Sequence, residues 1–264
     1  MSHLETPSLE ASLLERLSVQ RDVSGSDLSG KDLRGFDLYR VNLSLVNLAN
    51  SSLQQVTLIG ANLAGATLTS AQLQRADLRG AELVGANLEG ADLTGAFFHR
   101  TDLRGANLTG AVLTDAKFNV ALYDEHTQWP EGFLYKKSGA VGPEAVLNGA
   151  FLNTANLRGV NLRGAKLLGT YLSGADLTGA ILDEASLSGA NLQKAFLTGA
   201  SLRHARVSGT ELQKADLRAS DLTGVDFEMV GSIAGADFTM AQGLTPNSRG
   251  QLLRHPTNEL DVWN

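Results

Sequence analysis

Residues 61–96 read ANLAG ATLTS AQLQR ADLRG AELVG ANLEG ADLTG A, and this stretch repeats one pattern every five residues. Alanine opens each unit, a polar residue follows, leucine stands third, and glycine often closes the unit. The period extends upstream to about Val23 and downstream to Tyr123, and it returns from Leu147 to Phe227. Most of the chain is therefore one short motif repeated, which predicts a solenoid.

A period of five fits neither a regular helix nor a flat strand. Leucines five residues apart, such as Leu83 and Leu88, would be rotated by about 140° around a helix, because each residue turns it by about 100°. A flat strand needs an apolar period of two. The chain must instead bend once per unit, so that every leucine faces the same interior.

Each position of the unit then has a predicted environment. The alanine lies two residues before the leucine, on the same side of an extended backbone, and so points inward where space is short. The second position points outward, where Asp and Asn side chains can hydrogen-bond nearby backbone at the turn. The closing glycine stands where the turn can require a positive φ.

The motif resembles that of the pentapeptide-repeat proteins, A(D/N)LXX, over most of the chain. The resemblance implies an all-β fold, a right-handed quadrilateral β-helix with four five-residue faces per coil. Residues 121–133, ALYDEHTQWPEGF, and the tail HPTNELDVWN are similar to segments of cyanobacterial members.

The breaks in the period predict five segments, with short helical caps at both ends. Thr6 and Pro7 begin a leucine-striped helix that we expect to cover the first coil, with a membrane-binding or partner-binding helix as the alternative. Thr245 and Pro246 begin a second helix, for which the alternative is dimerisation through that end. The segments are an N-terminal helical cap over 1–20, a first repeat tract over 21–123, an inserted loop over 124–144, a second tract over 145–240, and a C-terminal cap and tail over 241–264.

Composition limits the setting and the partners. The net charge is −6 and the chain has no cysteine. A nucleic-acid binder would show a basic stripe, so we expect no direct nucleic-acid binding. With no long apolar segment, the sequence predicts a soluble, cytoplasmic protein that does not engage a membrane, as a monomer or an end-to-end dimer.

One outer surface of the first tract differs from the rest. With the twenty residues per coil that the resemblance implies, Tyr39, Ile59, Arg79 and His99 form one column, and Phe97 and Arg100 lie beside it. Most other outward positions carry Ser, Thr, Asn, Asp or Gln. The mixture of apolar and cationic groups predicts a binding surface for an unidentified protein partner, with scattered surface hydrophobes as the alternative.

The inserted loop carries three aromatic residues, Trp129, Phe133 and Tyr135. We expect them to pack back on the solenoid, with Phe151 and Tyr171 as a dock in the second tract. The alternative is that the loop is itself a recognition element.

No catalytic, cofactor-binding or metal-binding residue is predicted. The five histidines are scattered without metal-ligand spacing, and no phosphate loop is present. The sequence therefore predicts a structural scaffold for protein interactions and no enzyme. By resemblance to some pentapeptide-repeat proteins, the alternative is a DNA mimic that modulates a type II topoisomerase, using outward acids of the first tract. The nearby positive charges of Arg34, Arg79 and Arg104 would weaken the negative electrostatic field of these acids. Ice or carbohydrate binding would need a regular threonine column, which the chain lacks.

Overall fold

The computed structural model describes residues 21–255, which fall into two compact units. The first unit ends at Phe133 and the second begins at Leu134. The predicted N-terminal cap and the last part of the predicted tail lie outside the described residues.

Within each unit, parallel β-bridges join residues twenty positions apart. Asp22 pairs with Asn42 and Asn42 with Asn62, and this pairing repeats at every fifth residue. One coil is therefore twenty residues, which is four repeats with a bend between each. The bridges are isolated, one per repeat, and turns join them. The described helices are a 3₁₀ turn at Tyr135–Lys137 and an α-helix, α1, at Pro246–Leu252.

The interior of each unit is filled by the predicted leucine and alanine columns. Leu63 and Leu83 are fully buried, and so are Ala66 and Ala86. The Leu63 amide donates to the carbonyl of Glu82 in the next coil, over 2.7 Å. The Ala86 amide closes a turn on the carbonyl of Leu83, over 3.0 Å. Backbone pairing and core packing thus reinforce the same register at each repeat.

The outward second position forms the predicted turn bonds. Asp22 Oδ1 accepts from the Ser24 amide at 2.9 Å, and equivalent bonds recur at most Asp and Asn residues of this position. Asn42 also donates through its side chain to Asp22 in the preceding coil, at 3.0 Å. These carboxylates and amides hold the turns in place.

Almost every repeat closes with a left-handed residue, and this residue is not always glycine. Gly65 has φ 64°, and Arg40, Arg100 and Lys194 adopt φ 52°, 59° and 58°. A side chain at this position leans over the next coil, since a Cβ built on Gly65 would meet Leu45 Cδ2 at 2.8 Å. Gly65 and Gly60, one coil after Leu45 and Arg40, leave room for those two side chains.

The regular pairing extends further than the sequence period indicates. Gln128 pairs with Asn107, twenty-one residues away, so the coil continues past Tyr123 with one extra residue. Thr127 then takes the inner position of the alanine, and its hydroxyl donates to the carbonyl of Leu103 at 3.0 Å. A second extra residue lies between Asp216 and Asp237, where the sequence also shows a slip of one in phase.

Helix α1 begins where the sequence predicts. The Thr245 hydroxyl accepts from the Ser248 amide at 3.1 Å, and Pro246 occupies the first turn. Gln251 accepts from the Phe227 amide at 3.1 Å and donates to Asp226 at 2.7 Å, and Leu252 is fully buried. The helix therefore satisfies polar groups of the coil that it covers.

Candidate partner-binding face

The six surface residues singled out from the sequence lie together on one side of the first unit. We call Tyr39, Ile59, Arg79, Phe97, His99 and Arg100 the mixed face. Four of these residues, one in each successive coil, form a column from Tyr39 to His99 that backbone hydrogen bonds hold in register. The residue that follows each column member donates its amide to the carbonyl of the column member in the next coil. These bonds are 2.9 Å long and join Arg40 to Ile59, Gly60 to Arg79, and Gly80 to His99.

Two aromatic rings give the mixed face its apolar area. Tyr39 is 40% exposed and Phe97 is 44% exposed, and the Ile59 side chain between their coils is half-buried. The Arg40 guanidinium carbon lies 5.1 Å from the centre of the Tyr39 ring, within the range of a cation–π contact. This contact orients Arg40 beside the apolar strip.

Arg79 is already engaged within the face. Its Nε lies 2.8 Å from Asp77 Oδ1 and its Nη2 lies 2.6 Å from Asp77 Oδ2, which is a bidentate arrangement. The hydrogen bonds that Arg79 donates to Asp77, together with the negative charge of that carboxylate, raise the pKa of Arg79. Arg79 therefore offers a partner an ion pair whose charge is largely balanced.

The structure adds a residue that the sequence reasoning missed. Lys117 pairs with Phe97 across the next coil boundary, so its exposed side chain extends the mixed face. Within residues 21–255, neither Lys117 nor Arg40 nor Arg100 forms an ion pair. The twenty-residue spacing from Phe97 is the signal that could have found Lys117.

Several outward acids of the first unit are neutralised by arginines two residues later. Asp32 pairs with Arg34 and Asp102 with Arg104, each at 2.5 Å. The Arg34 hydrogen bonds lower the pKa of Asp32 to about 2. The predicted weakening of the acidic field by arginines is thus present in the structure.

Two aromatic residues of the loop, both half-buried, pack against a buried ring of the first unit. Phe118 is buried and stacks on Phe98, with ring centres 4.7 Å apart. Trp129 and Phe133 lie against Phe118 at 5.4 Å and 5.5 Å. The expected packing of the loop on the solenoid holds for these two residues.

Phe151 and Tyr171, which we expected to receive the rings of the loop, stack on each other in the second unit. Their ring centres are 4.8 Å apart, and Phe151 is 76% exposed. The reason is the twenty-residue spacing, which places two planar rings one above the other in successive coils. Tyr135 lies in the 3₁₀ turn, where Lys136 Nζ stands 5.9 Å from its ring centre.

Asp124 fixes the turn that leads into the loop. Its Oδ1 accepts from the amides of Gly105, His126 and Thr127 at 2.9–3.1 Å. Partial burial raises the pKa of Asp124, but these hydrogen bonds outweigh it and hold that pKa below its ordinary value. This carboxylate has a structural role, because its acceptor sites are occupied by backbone donors.

Across residues 21–255, no three His, Asp or Glu side chains are grouped so as to hold a metal ion. In the same range, no helix has the length and apolar character needed to cross a membrane.

Comparison with known proteins identifies similar sequences and structures. A family model described as pentapeptide repeats matches in 8 copies, over residues 22–55, 47–83, 81–119, 144–179, 170–209, 180–218 and 200–230. No match was found among curated proteins.

Three solved structures illustrate the similarity. HetL, a pentapeptide repeat protein involved in heterocyst differentiation regulation in Nostoc sp. strain PCC 7120, is 28% identical. That match covers 87% of this chain and 92% of HetL, with a TM-score of 0.38. Rfr23 from Cyanothece 51142 is 30% identical over 46% of this chain and 99% of its own, with a TM-score of 0.35. Full-length QnrB1, a plasmid-mediated fluoroquinolone resistance protein, is 19% identical over 88% and 97%, with a TM-score of 0.33.

Proposed function

The chain belongs to the pentapeptide repeat family, and we propose that it is a non-catalytic scaffold whose mixed face binds a protein partner. We also infer that each unit is a right-handed quadrilateral β-helix. The regular return of the backbone after four repeats supports that inference.

The observation that carries the proposal is the exposure of Tyr39 and Phe97 on a backbone that is paired with the neighbouring coil. Aromatic residues and arginine are the types most often responsible for binding energy at protein interfaces. In this protein, Tyr39 and Phe97 lie in two adjacent columns of the mixed face, and their side chains are 40% and 44% exposed. Because the ladder bonds already order the backbone, binding would cost little conformational entropy.

The use of the acidic residues supports a non-catalytic role. Carboxylates such as Asp22 and Asp124 accept backbone amides, and Asp77 is held by Arg79. A general acid or base needs a proton-exchanging position near a substrate. These carboxylates instead stabilise turns and surface ion pairs.

The DNA-mimic alternative is less well supported. A mimic of duplex DNA needs rows of unpaired negative charge, whereas three of the outward acids of the first unit, Asp32, Asp77 and Asp102, each have an arginine within 2.6 Å. Short ion pairs of this kind cancel most of the field at a distance.

The proposal is tested by capture of partners from the native host. We expect the wild type to retain a specific protein that Tyr39→Ala/Phe97→Ala loses by about tenfold or more, because the variant removes both exposed rings. Bound proteins are quantified by mass spectrometry. Tyr171→Ala/Phe196→Ala is the matched control, since it removes the same residue types, at 44% and 50% exposure, from the second unit. Unchanged capture by the first variant would contradict the proposal.

A further inference from the structure

We infer that the partner of the mixed face presents an acidic segment that also carries apolar side chains. This inference rests on the proposed function and specifies the chemistry of the partner. It follows from the charges that surround the two exposed rings and from their spacing along the solenoid.

The face is locally cationic in a chain whose net charge is −6. Arg40, Arg100 and Lys117 are exposed and form no ion pair within residues 21–255. The Arg79 charge is balanced by Asp77.

The nearby carboxylates reduce this excess of positive charge without removing it. Asp37 is exposed and adds one negative charge, while it accepts the Tyr39 amide at 3.0 Å. At the corner that precedes this face along the chain, Arg75 and Asp115 occupy the same repeat position two coils apart and carry opposite charges. An anionic partner therefore meets three cations that form no ion pair and one carboxylate, and this net positive charge favours its binding electrostatically.

The spacing of these cations defines the length of the partner segment. Arg40 and Arg100 occupy the same repeat position three coils apart, which is about 14 Å at a spacing of about 4.8 Å per coil. Tyr39 lies in the same coil as Arg40 and Phe97 in the same coil as Arg100, and Ile59 lies in a coil between them. An extended segment of about five residues spans that distance, with acidic residues at its ends and apolar residues between them.

A protein segment explains this surface better than a nucleic acid does. Nucleic-acid affinity comes largely from many phosphate contacts along a basic track. Only three cations without an ion pair lie on or beside the mixed face, and the chain as a whole is negative, which repels a long polyanion. The exposed phenyl and phenol rings, in contrast, match apolar side chains.

Peptides displayed on phage provide the probe for a direct test. A random peptide library is selected on the wild-type protein, and enriched peptides are synthesised with a fluorescein label. Binding is measured by fluorescence anisotropy at low and high salt. We expect enriched sequences to combine Asp or Glu with aromatic or aliphatic residues, and their affinity to fall as salt rises.

Charge reversal on the face supplies the decisive variant. Arg100→Glu/Lys117→Glu should weaken these peptides by about tenfold or more. Lys194→Glu/Lys166→Glu is the matched control, because it makes the same charge change at the same two repeat positions of the second unit, and Lys194 has φ 58°. It should change binding by less than about twofold. Circular dichroism and a thermal melt of each variant show whether it folds.

The outcomes separate this inference from the proposed function. If the selected peptides have no excess of acidic residues and bind the Tyr39→Ala/Phe97→Ala variant more weakly than the wild type, the acidic partner would be overturned. The assignment of binding to the mixed face would stand. Equal binding to every variant, or no enrichment, would overturn both. Tighter binding of a labelled DNA duplex than of any selected peptide, abolished by Arg100→Glu/Lys117→Glu, would assign the face to nucleic acid and overturn the inference.

Discussion

Phe118→Ala is expected to destabilise the first unit by about 3–5 kcal/mol, because it removes a fully buried ring from a close-packed cluster. Phe118 is 1% exposed and lies against Phe98, Trp129 and Phe133, with ring centres 4.7–5.5 Å away. Urea unfolding followed by Trp129 fluorescence measures the change, in a Trp263→Phe background so that one tryptophan reports.

The neighbouring exposed ring is the control for this prediction. Phe97→Ala removes the same side chain from the surface, where it is 44% exposed, and should cost less than about 1 kcal/mol. If the two substitutions lowered the free energy of unfolding equally, the assignment of Phe118 to the core would be wrong.

Gly243→Ala is expected to destabilise the last coils by about 3 kcal/mol or more, through steric overlap and backbone strain together. Gly243 has φ 76°, and a Cβ there would lie 2.4 Å from the Thr223 amide nitrogen and 2.5 Å from its Cα. Thr223 cannot move aside freely. Its amide donates to Asp221 at 3.0 Å and its carbonyl accepts from the His204 amide at 2.8 Å.

Hydrogen exchange of the His204 amide, with thermal unfolding, measures the effect of Gly243→Ala. Faster exchange at His204 is expected, because Thr223 must shift. Gly80→Ala is the control. Gly80 also has positive φ, at 65°, but a Cβ there meets nothing within 4 Å, so its cost is about 1–2 kcal/mol of left-handed strain. If Gly243→Ala and Gly80→Ala lowered the stability equally, contact with Thr223 would not contribute to the cost.

The sequence predicts the interior of this protein well, because the position of a residue in the five-residue repeat determines whether its side chain points inward or outward. Leu83 and Ala86 are buried as the period requires, and Asp22 forms the predicted turn bond. The column from Tyr39 to His99 was also predictable, once a coil of twenty residues was taken from the family resemblance. Ladder bonds confirm that column.

Other features could not be read from the period. One extra residue before Gln128 hides the continuation of the coil, so Thr127 looks like part of a loop although it occupies an inner position. The left-handed conformation of Arg100 is set by its place in the repeat, against the usual preference of its residue type. The engagement of Arg79 by Asp77 depends on rotamers, which a pattern does not specify.

Site-specific photo-crosslinking tests the central claim most directly. A photoreactive phenylalanine analogue is placed at Phe97 or at Phe196, both exposed second-position residues, at 44% and 50% exposure, and the protein is irradiated in cells of its native host. The account predicts a crosslinked protein partner from position 97 and none of that partner from position 196. The same partner captured equally at both positions, or only at 196, would contradict the assignment of binding to the mixed face.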